Sequence, residues 1–253
     1  MENKGRPSCL TTEFPSAEWP FAGSENETRC ERLASSRWGQ YLTAVEKEAI
    51  LCAHALVPTA STSIEIGCEG GRWSSLLADL GWLPTCVDID PKTLAVCQRR
   101  LPQARCILTS PQARRLPAAD NSMGLVLIIE VPAVIESTWF PTEANRVLRK
   151  DGLLVGVCWN RASLRGLVSR VLGRQKKSLQ RGKCYSQTYE SVKGRIQTAG
   201  FSFLFERGFC WSPFSRASDS SLIPACVTME RILKLRDLIR WSPWVIFIAR
   251  KGA

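Results

Sequence analysis

A chain of 253 residues with 45% hydrophobic content is long enough for one full core, and one large α/β domain with appendages is the expected organisation. Its eleven cysteines are odd in number and scattered singly without a Cys-x-x-Cys pair, which indicates reduced, intracellular usage and no metal site. The net charge of +11 is concentrated between Arg161 and Arg195, where ten basic residues face Glu190 alone, a local +9. Such a segment is either a solvated basic insert or a surface for RNA, anionic lipid headgroups or an acidic substrate.

Residues 1–35 mix Pro, Ser, Glu, Asn and Thr without periodicity, so an irregular arm is expected, with Trp19 and Phe21 able to dock. No secretory signal is visible and the expected location is cytoplasmic. The longest apolar run, Met123 to Ile135, is broken by Glu130 and Pro132 and is shorter than the roughly 20 residues a membrane helix needs. Any membrane association is therefore expected to be peripheral.

From Gln40 to Leu56 apolar residues recur at helical spacing, and His54 falls on this helix with a structural role expected. Strand-like and helix-like segments then alternate: strand Ser63–Gly67, helix Arg72–Leu80, strand Thr85–Ile89, helix Lys92–Arg100 and strand Arg105–Leu108. Strands Gly124–Ile129 and Leu153–Cys158 follow, separated by a helix from about Ile135 to Arg149 and the turn Lys150-Asp151-Gly152. This is the period of βαβ units and implies a doubly wound, Rossmann-like parallel sheet. A helix Tyr189–Thr198, a strand Phe201–Glu206 and a last strand Trp244–Ala249 close the domain. Between them lies an insertion, residues 208–243, in which Met229, Ile232, Leu235 and Ile239 recur at helical spacing; core burial is expected for that stripe ahead of membrane contact.

The segment richest in chemistry is Ser63 to Gly71, an apolar run with one acid, Glu65, that breaks into Gly67-Cys68-Glu69-Gly70-Gly71 just before a helix. Glycines there permit positive φ and close approach of a ligand to the backbone, and a helix start offers free N–H groups. About twenty residues on, Asp88 ends the next strand, where a carboxylate can accept hydrogen bonds from both hydroxyls of a ribose. Asp90, before Pro91, suits a helix cap.

These residues resemble the class I S-adenosylmethionine-dependent methyltransferases, and among them the ubiquinone/menaquinone-biosynthesis (methyltransferase type 11) branch. Glu65 to Gly71 looks like the family's first motif, Val87-Asp88-Ile89-Asp90-Pro91 like its ribose-binding strand, Leu116 to Ser122 like the segment before its fourth strand, and Glu143 to Gly152 like its turn into the fifth. The resemblance implies a seven-stranded sheet with an antiparallel last strand, formed by residues 36–253, and S-adenosyl-L-methionine as cofactor. It implies donor contacts from Glu65, Gly67, Cys68, Glu69, Gly71, Asp88, Ile89 and Glu130, with Gln112 against the adenine amino group. Glu69 stands where the family's middle glycine is usual, either turned to solvent or meeting the ammonium of the methionine moiety, and Gly124 replaces a common aspartate.

A sulfonium methyl is already activated, so orientation supplies much of the rate. Glu130, Tyr185 and Tyr189 are the acid/base candidates, and Asn160 and Arg161 are expected on the acceptor side. The leading expectation is methyl transfer to a small-molecule or lipid-like acceptor. The alternatives are an RNA acceptor held by residues 161–195, a nicotinamide-dependent oxidoreductase, and a non-catalytic donor-binding protein.

Overall fold

Alternating faces of the apolar strands decide how this chain layers. On the fourth strand Leu125 and Leu127 enter one buried cluster while Val126 and Ile128 enter the other, as a sheet covered on both faces requires. The computed structural model describes residues 27–171 and 185–252. Trp19, Phe21 and the middle of the basic run, residues 172–184, with five of its ten basic residues, lie outside the described residues.

The strands are β1 (Thr62–Ile66), β2 (Leu83–Asp88), β3 (Arg105–Leu108), β4 (Met123–Ile128), β5 (Leu148–Trp159), β6 (Phe201–Phe209) and β7 (Trp244–Lys251). They form one seven-stranded sheet in the order β3-β2-β1-β4-β5-β7-β6. The β1 to β5 pairings are parallel, and β7 runs antiparallel to both β5 and β6. The Rossmann-like, mostly parallel sheet with an antiparallel last strand is as expected. Strand order reverses between β1 and β4, which opens a crevice at their carboxyl ends.

The helices are α1 (Arg29–Ala34), α2 (Arg37–Ala55), α3 (Arg72–Asp79), α4 (Pro91–Arg100), α5 (Pro132–Ile135), α6 (Phe140–Val147), α7 (Leu164–Val171), α8 (Tyr189–Thr198) and α9 (Ile223–Ile232). One face of the sheet is covered by α2, α3 and α9 through Ile50, Leu77 and Val227; the other by α5, α6 and α8 through Ile135, Phe140 and Val192. Cys68, Cys86, Cys97 and Leu101 make a third, smaller cluster beneath α4.

Four expectations need correction. The arm is not irregular throughout: Thr28 and Glu31 form a capping box that starts α1. The single helix from Ile135 to Arg149 is two, because Pro141 seats in the first turn of α6 after a break at residues 136–139. The turn at Lys150-Asp151-Gly152 lies inside β5, where Asp151 adopts φ 61° and the register with β4 shifts. Finally, Met229 and Ile232 are not core residues. They are 57% and 69% exposed, because α9 turns Ile223, Val227 and Glu230 inward, and Leu235 and Ile239 sit half-buried in two short 3-10 turns.

Candidate functional site

The turn after β1 is closed by its own backbone: the Gly67 and Cys68 N–H groups donate to the Val87 carbonyl, and Gly71 N–H to the Cys68 carbonyl. Gly67 (φ 73°) and Gly71 (φ 78°) both lie in the left-handed region, and neither has room for a Cβ. At Gly67 it would stand 2.5 Å from Val131 Cγ2, and at Gly71 2.6 Å from Cys97 Sγ. Glu69, in the middle of the turn, keeps a left-handed backbone (φ 49°) despite its side chain, a conformation that costs about 1 kcal/mol or more. Its carboxylate is not turned to solvent. It lines the cavity and accepts a 3.2 Å bond from Cys30 N–H of α1.

Asp88 binds the same loop from the next strand. Its Oδ2 accepts from Glu69 N–H at 2.7 Å, and its Oδ1 from Ile89 and Asp90 N–H at 2.7 and 2.9 Å. Each oxygen has two lone pairs, so Oδ2 keeps one for a hydroxyl. Ile89 and Gln112 stand beyond it on an exposed shelf, with Ser110 Oγ donating to Gln112 Oε1. Glu65, by contrast, is buried and accepts from both the backbone N–H and the hydroxyl of Ser74, bracing α3 against β1. Burial, reinforced by nearby Cys86, pushes its carboxyl up to about 8, so it is neutral at pH 7.

Inward of the loop is a cavity of about 470 Å³, within the range of small-molecule sites. Gly67, Cys68 and Glu69 form its floor, Glu130 and Val131 one wall, and Cys30 and Leu33 of α1 with Leu42, Thr43 and Glu46 of α2 another. Trp159 and Trp244, paired in the β5–β7 register with ring centroids 5.4 Å apart, stand at the far end beside Tyr185.

Glu130 has φ 58° just past β4 and forms an ion pair with Arg216, whose guanidinium also lies 5.7 Å from the Trp244 ring. Arg216 arrives from the insertion, on a loop held to the start of α2 by Trp38 N–H bonded to the Ser218 carbonyl and Arg37 N–H to Asp219. Burial pulls the Arg216 pKa down while Glu46 opposes. Arg72, opening α3, bonds Thr43 and Glu46 Oε2 at 3.1 and 3.3 Å. The second oxygen, Glu46 Oε1, is buried without a hydrogen-bond partner, as is Trp159 Nε1. Burial raises the Glu46 pKa, outweighing Arg72.

The α1 roof is tied down by a buried ion pair. Arg100 of α4 reaches Glu31 at 2.7 Å and donates to the Gly70 carbonyl at 2.9 Å, so one side chain joins the roof to the glycine loop. Burial alone would raise the Glu31 carboxyl, but Arg100 and Thr28 hold it below its usual value.

Of the acid/base candidates, the structure brings Glu130 and Tyr185 to the cavity, with Tyr185 OH accepting from Trp244 Nε1 at 2.9 Å. Tyr189 does not belong there. It is a core residue of α8 whose hydroxyl donates to Glu206, and burial pushes its pKa far up. Asn160 is fully buried and spans the Arg240 and Ser242 carbonyls and the Ala162 and Tyr189 N–H groups, a strut with no free valence for a substrate, and Arg161 is exposed. His54 accepts from Trp82 Nε1, in keeping with its structural role. Gly124 has no room for the aspartate usual there, since Ser61 and Trp82 crowd it.

Sequence reasoning missed Cys30, Glu46, Arg72, Trp159, Arg216 and Trp244. The Thr28-x-x-Glu31 box could have signalled α1; nothing local marks Arg216.

Residues 64–156 match the family profile described as "Methyltransferase domain" (Methyltransf_11). Uncharacterized methyltransferases of Mycobacterium tuberculosis (strain ATCC 25618 / H37Rv) and Mycobacterium bovis are 31% identical over 106 residues, 42% of this chain and 42% of each relative. The chain therefore aligns with less than half the length of those relatives. Among solved structures, a geranyl diphosphate methyltransferase in complex with GPP and sinefungin superposes with TM-score 0.60 at 15% identity, covering 88% of this chain and 82% of the other. A SAM-dependent methyltransferase from Archaeoglobus fulgidus gives TM-score 0.57 at 16% identity, covering 84% and 94%. At these identities the superpositions establish a shared fold.

Proposed function

We propose that this protein, whose residues 64–156 match a methyltransferase domain profile, binds S-adenosyl-L-methionine over the glycine loop and transfers its methyl group to a small-molecule or lipid-like acceptor in the cavity behind it. The observation that carries this reading is the continuity of the two halves: Asp88 bonds the Glu69 N–H, and Gly67 and Glu69 themselves line a partly open, tryptophan-ended cavity.

The residues present fit such a donor. Gly67 and Gly71 leave the loop bare where a Cβ could not stand, Asp88 Oδ2 keeps a lone pair toward a ribose, and Glu69 offers a carboxylate to an ammonium group. When bound, the donor supplies an electrophilic methyl on a sulfonium. The protein's own work is alignment and exclusion of water. Trp159, Trp244 and Val131 give an apolar lining in which an acceptor loses its hydration, and the Arg216–Glu130 pair offers a fixed charge pair to orient its polar end.

Glu46 is the best-placed proton acceptor. It lines the cavity, keeps Oε1 unpartnered and has a raised pKa, whereas Glu130 is neutralised by Arg216. A carboxylate of raised pKa accepts protons only above that value. The pH profile should therefore lose activity on its acid side at a pH above the ordinary carboxylate range, and Glu46→Gln should abolish that limb.

Binding is tested by titration calorimetry with S-adenosylmethionine and S-adenosylhomocysteine; absence of heat with both sinks the reading. Transfer of labelled methyl into small-molecule, lipid and RNA fractions decides the acceptor. A lipid-like acceptor and a peripheral position on an anionic surface are favoured by one specific feature, the exposure of Leu222, Met229, Ile232, Leu233 and Trp241 beside Lys234 and Arg240. Co-sedimentation with anionic but not neutral vesicles is the expected result.

A further inference from the structure

Four cysteines that stand far apart in the chain meet beneath the glycine loop. Cys68 belongs to the loop, Cys86 to β2, Cys97 to α4 and Cys106 to β3. The Sγ atoms of Cys68, Cys86 and Cys97 all lie within 4.8 Å of one another, and all three residues are buried. Cys106 Sγ is 3.7 Å from Cys97 Sγ. Three sulfurs therefore form a mutually close set, and a fourth stands beside one of them.

Cys106 stands within reach of the three-sulfur group as a fourth ligand. A zinc ion bound by four thiolates at about 2.3 Å places neighbouring sulfurs about 3.8 Å apart, close to the Cys97–Cys106 separation. Thiolates around a multinuclear iron–sulfur core stand further apart, so the spacing favours a single ion. We propose that Cys68, Cys86, Cys97 and Cys106 form a structural binding site for one thiophilic divalent ion, zinc(II), that locks the glycine loop to β2, β3 and α4.

The thiol protons pass to solvent as the ion enters, and Cys106, only half-buried, provides the way in. The sequence expectation of no metal rested on spacing along the chain, which is uninformative when four ligands come from four different elements.

The site also reaches the donor. Cys97 Sγ is the atom that leaves Gly71 no room for a Cβ, and Cys68 lies between Gly67 and Glu69 in the cavity floor. An ion held there fixes the loop before any ligand arrives.

The test uses the full chain, produced with zinc in the medium and purified under reducing conditions. Elemental analysis should find roughly one zinc per chain, and cobalt(II) exchanged into the protein should show thiolate-to-metal charge-transfer bands with the intense visible bands of tetrahedral coordination. Cys97→Ala and Cys106→Ser should each lower zinc content and alter the cobalt spectrum, while Cys226→Ser, outside the cluster, should change neither. Should Cys97→Ala not fold, Cys106→Ser at the half-buried edge retains the spectroscopic readout. Folded, reduced protein with neither zinc nor cobalt bands would overturn the proposal and leave the four residues as small buried hydrophobes. Recovery of a Cys97–Cys106 disulfide from metal-free, non-reduced protein would overturn it in favour of a redox pair.

Discussion

The floor and the roof of the cavity are built in opposite ways. The floor, from β1 through Gly71 with Asp88 beside it, is made of residues close in sequence, and its bonds are mostly backbone to backbone or carboxylate to backbone. The roof, made of α1, the start of α2 and the loop carrying Arg216, is held by side chains meeting across long stretches of chain, Glu31 with Arg100 and Glu130 with Arg216. A floor of this kind tolerates little change in shape; a roof of this kind depends on a few charges. Donor affinity should therefore respond most to the floor, and closure of the site to the roof.

The largest expected effect is on the roof. Glu31→Ala removes the carboxylate partner of Arg100, whose side chain is 3% exposed, and should cost about 3 kcal/mol, with faster amide exchange across residues 29–34. Exchange in α1 no faster than in the parent would show that the ion pair is not what holds it. Next comes the floor: Gly67→Ala, at φ 73° and against Val131, should cost about 1–3 kcal/mol and weaken donor binding more than it lowers Tm. Equal affinity in calorimetry would contradict the placement of the donor on this loop.

A third, smaller effect sharpens the comparison through pH. Glu65 has a folded pKa of about 8 against an ordinary 4.5, so the folded state holds an extra proton between those values. Stability contributed by the neutral carboxyl is present at the acid end and lost as pH rises through the window, with a slope of up to about 1.4 kcal/mol per pH unit. Glu65→Gln should flatten that part of the Tm profile. Glu31, held low, works in the opposite sense at more acidic pH, so the roof weakens only below the window in which the floor strengthens. Smallest is Ile232→Ser, which should leave stability within about 0.5 kcal/mol because the side chain is 69% exposed, while reducing retention on anionic vesicles.

The same division explains what could be read from the chain. Strand period, the glycine turn and the acid at the end of β2 are local signals, and they placed the sheet order's crevice and Asp88 beside the glycine turn. Met229 and Ile232 show the limit. Their helical spacing correctly marked an amphipathic stretch, but periodicity cannot say which face finds a partner, and the inward face is the one with Val227 and Glu230. Tyr189 was likewise chosen for its chemistry, and the core around Phe247 claimed it. Arg216 was invisible because its loop has no period and its partner, Glu130, lies 86 positions away. Glu69 was marked as a departure, yet only the structure shows that the backbone keeps the glycine conformation and uses the carboxylate to hold α1.

Trp73, Trp159 and Trp244, three of the nine tryptophans, border the cavity, and two of them meet at its far end with their ring planes tilted by 58°. The protein consequently carries its own optical probe. Indole emission depends on the polarity and quenchers around it, so filling the cavity should change the intensity and wavelength of intrinsic fluorescence without any label. A donor confined to the Asp88 shelf and an acceptor seated between the indoles should therefore give separable signals, and stopped-flow traces could time the arrival of each.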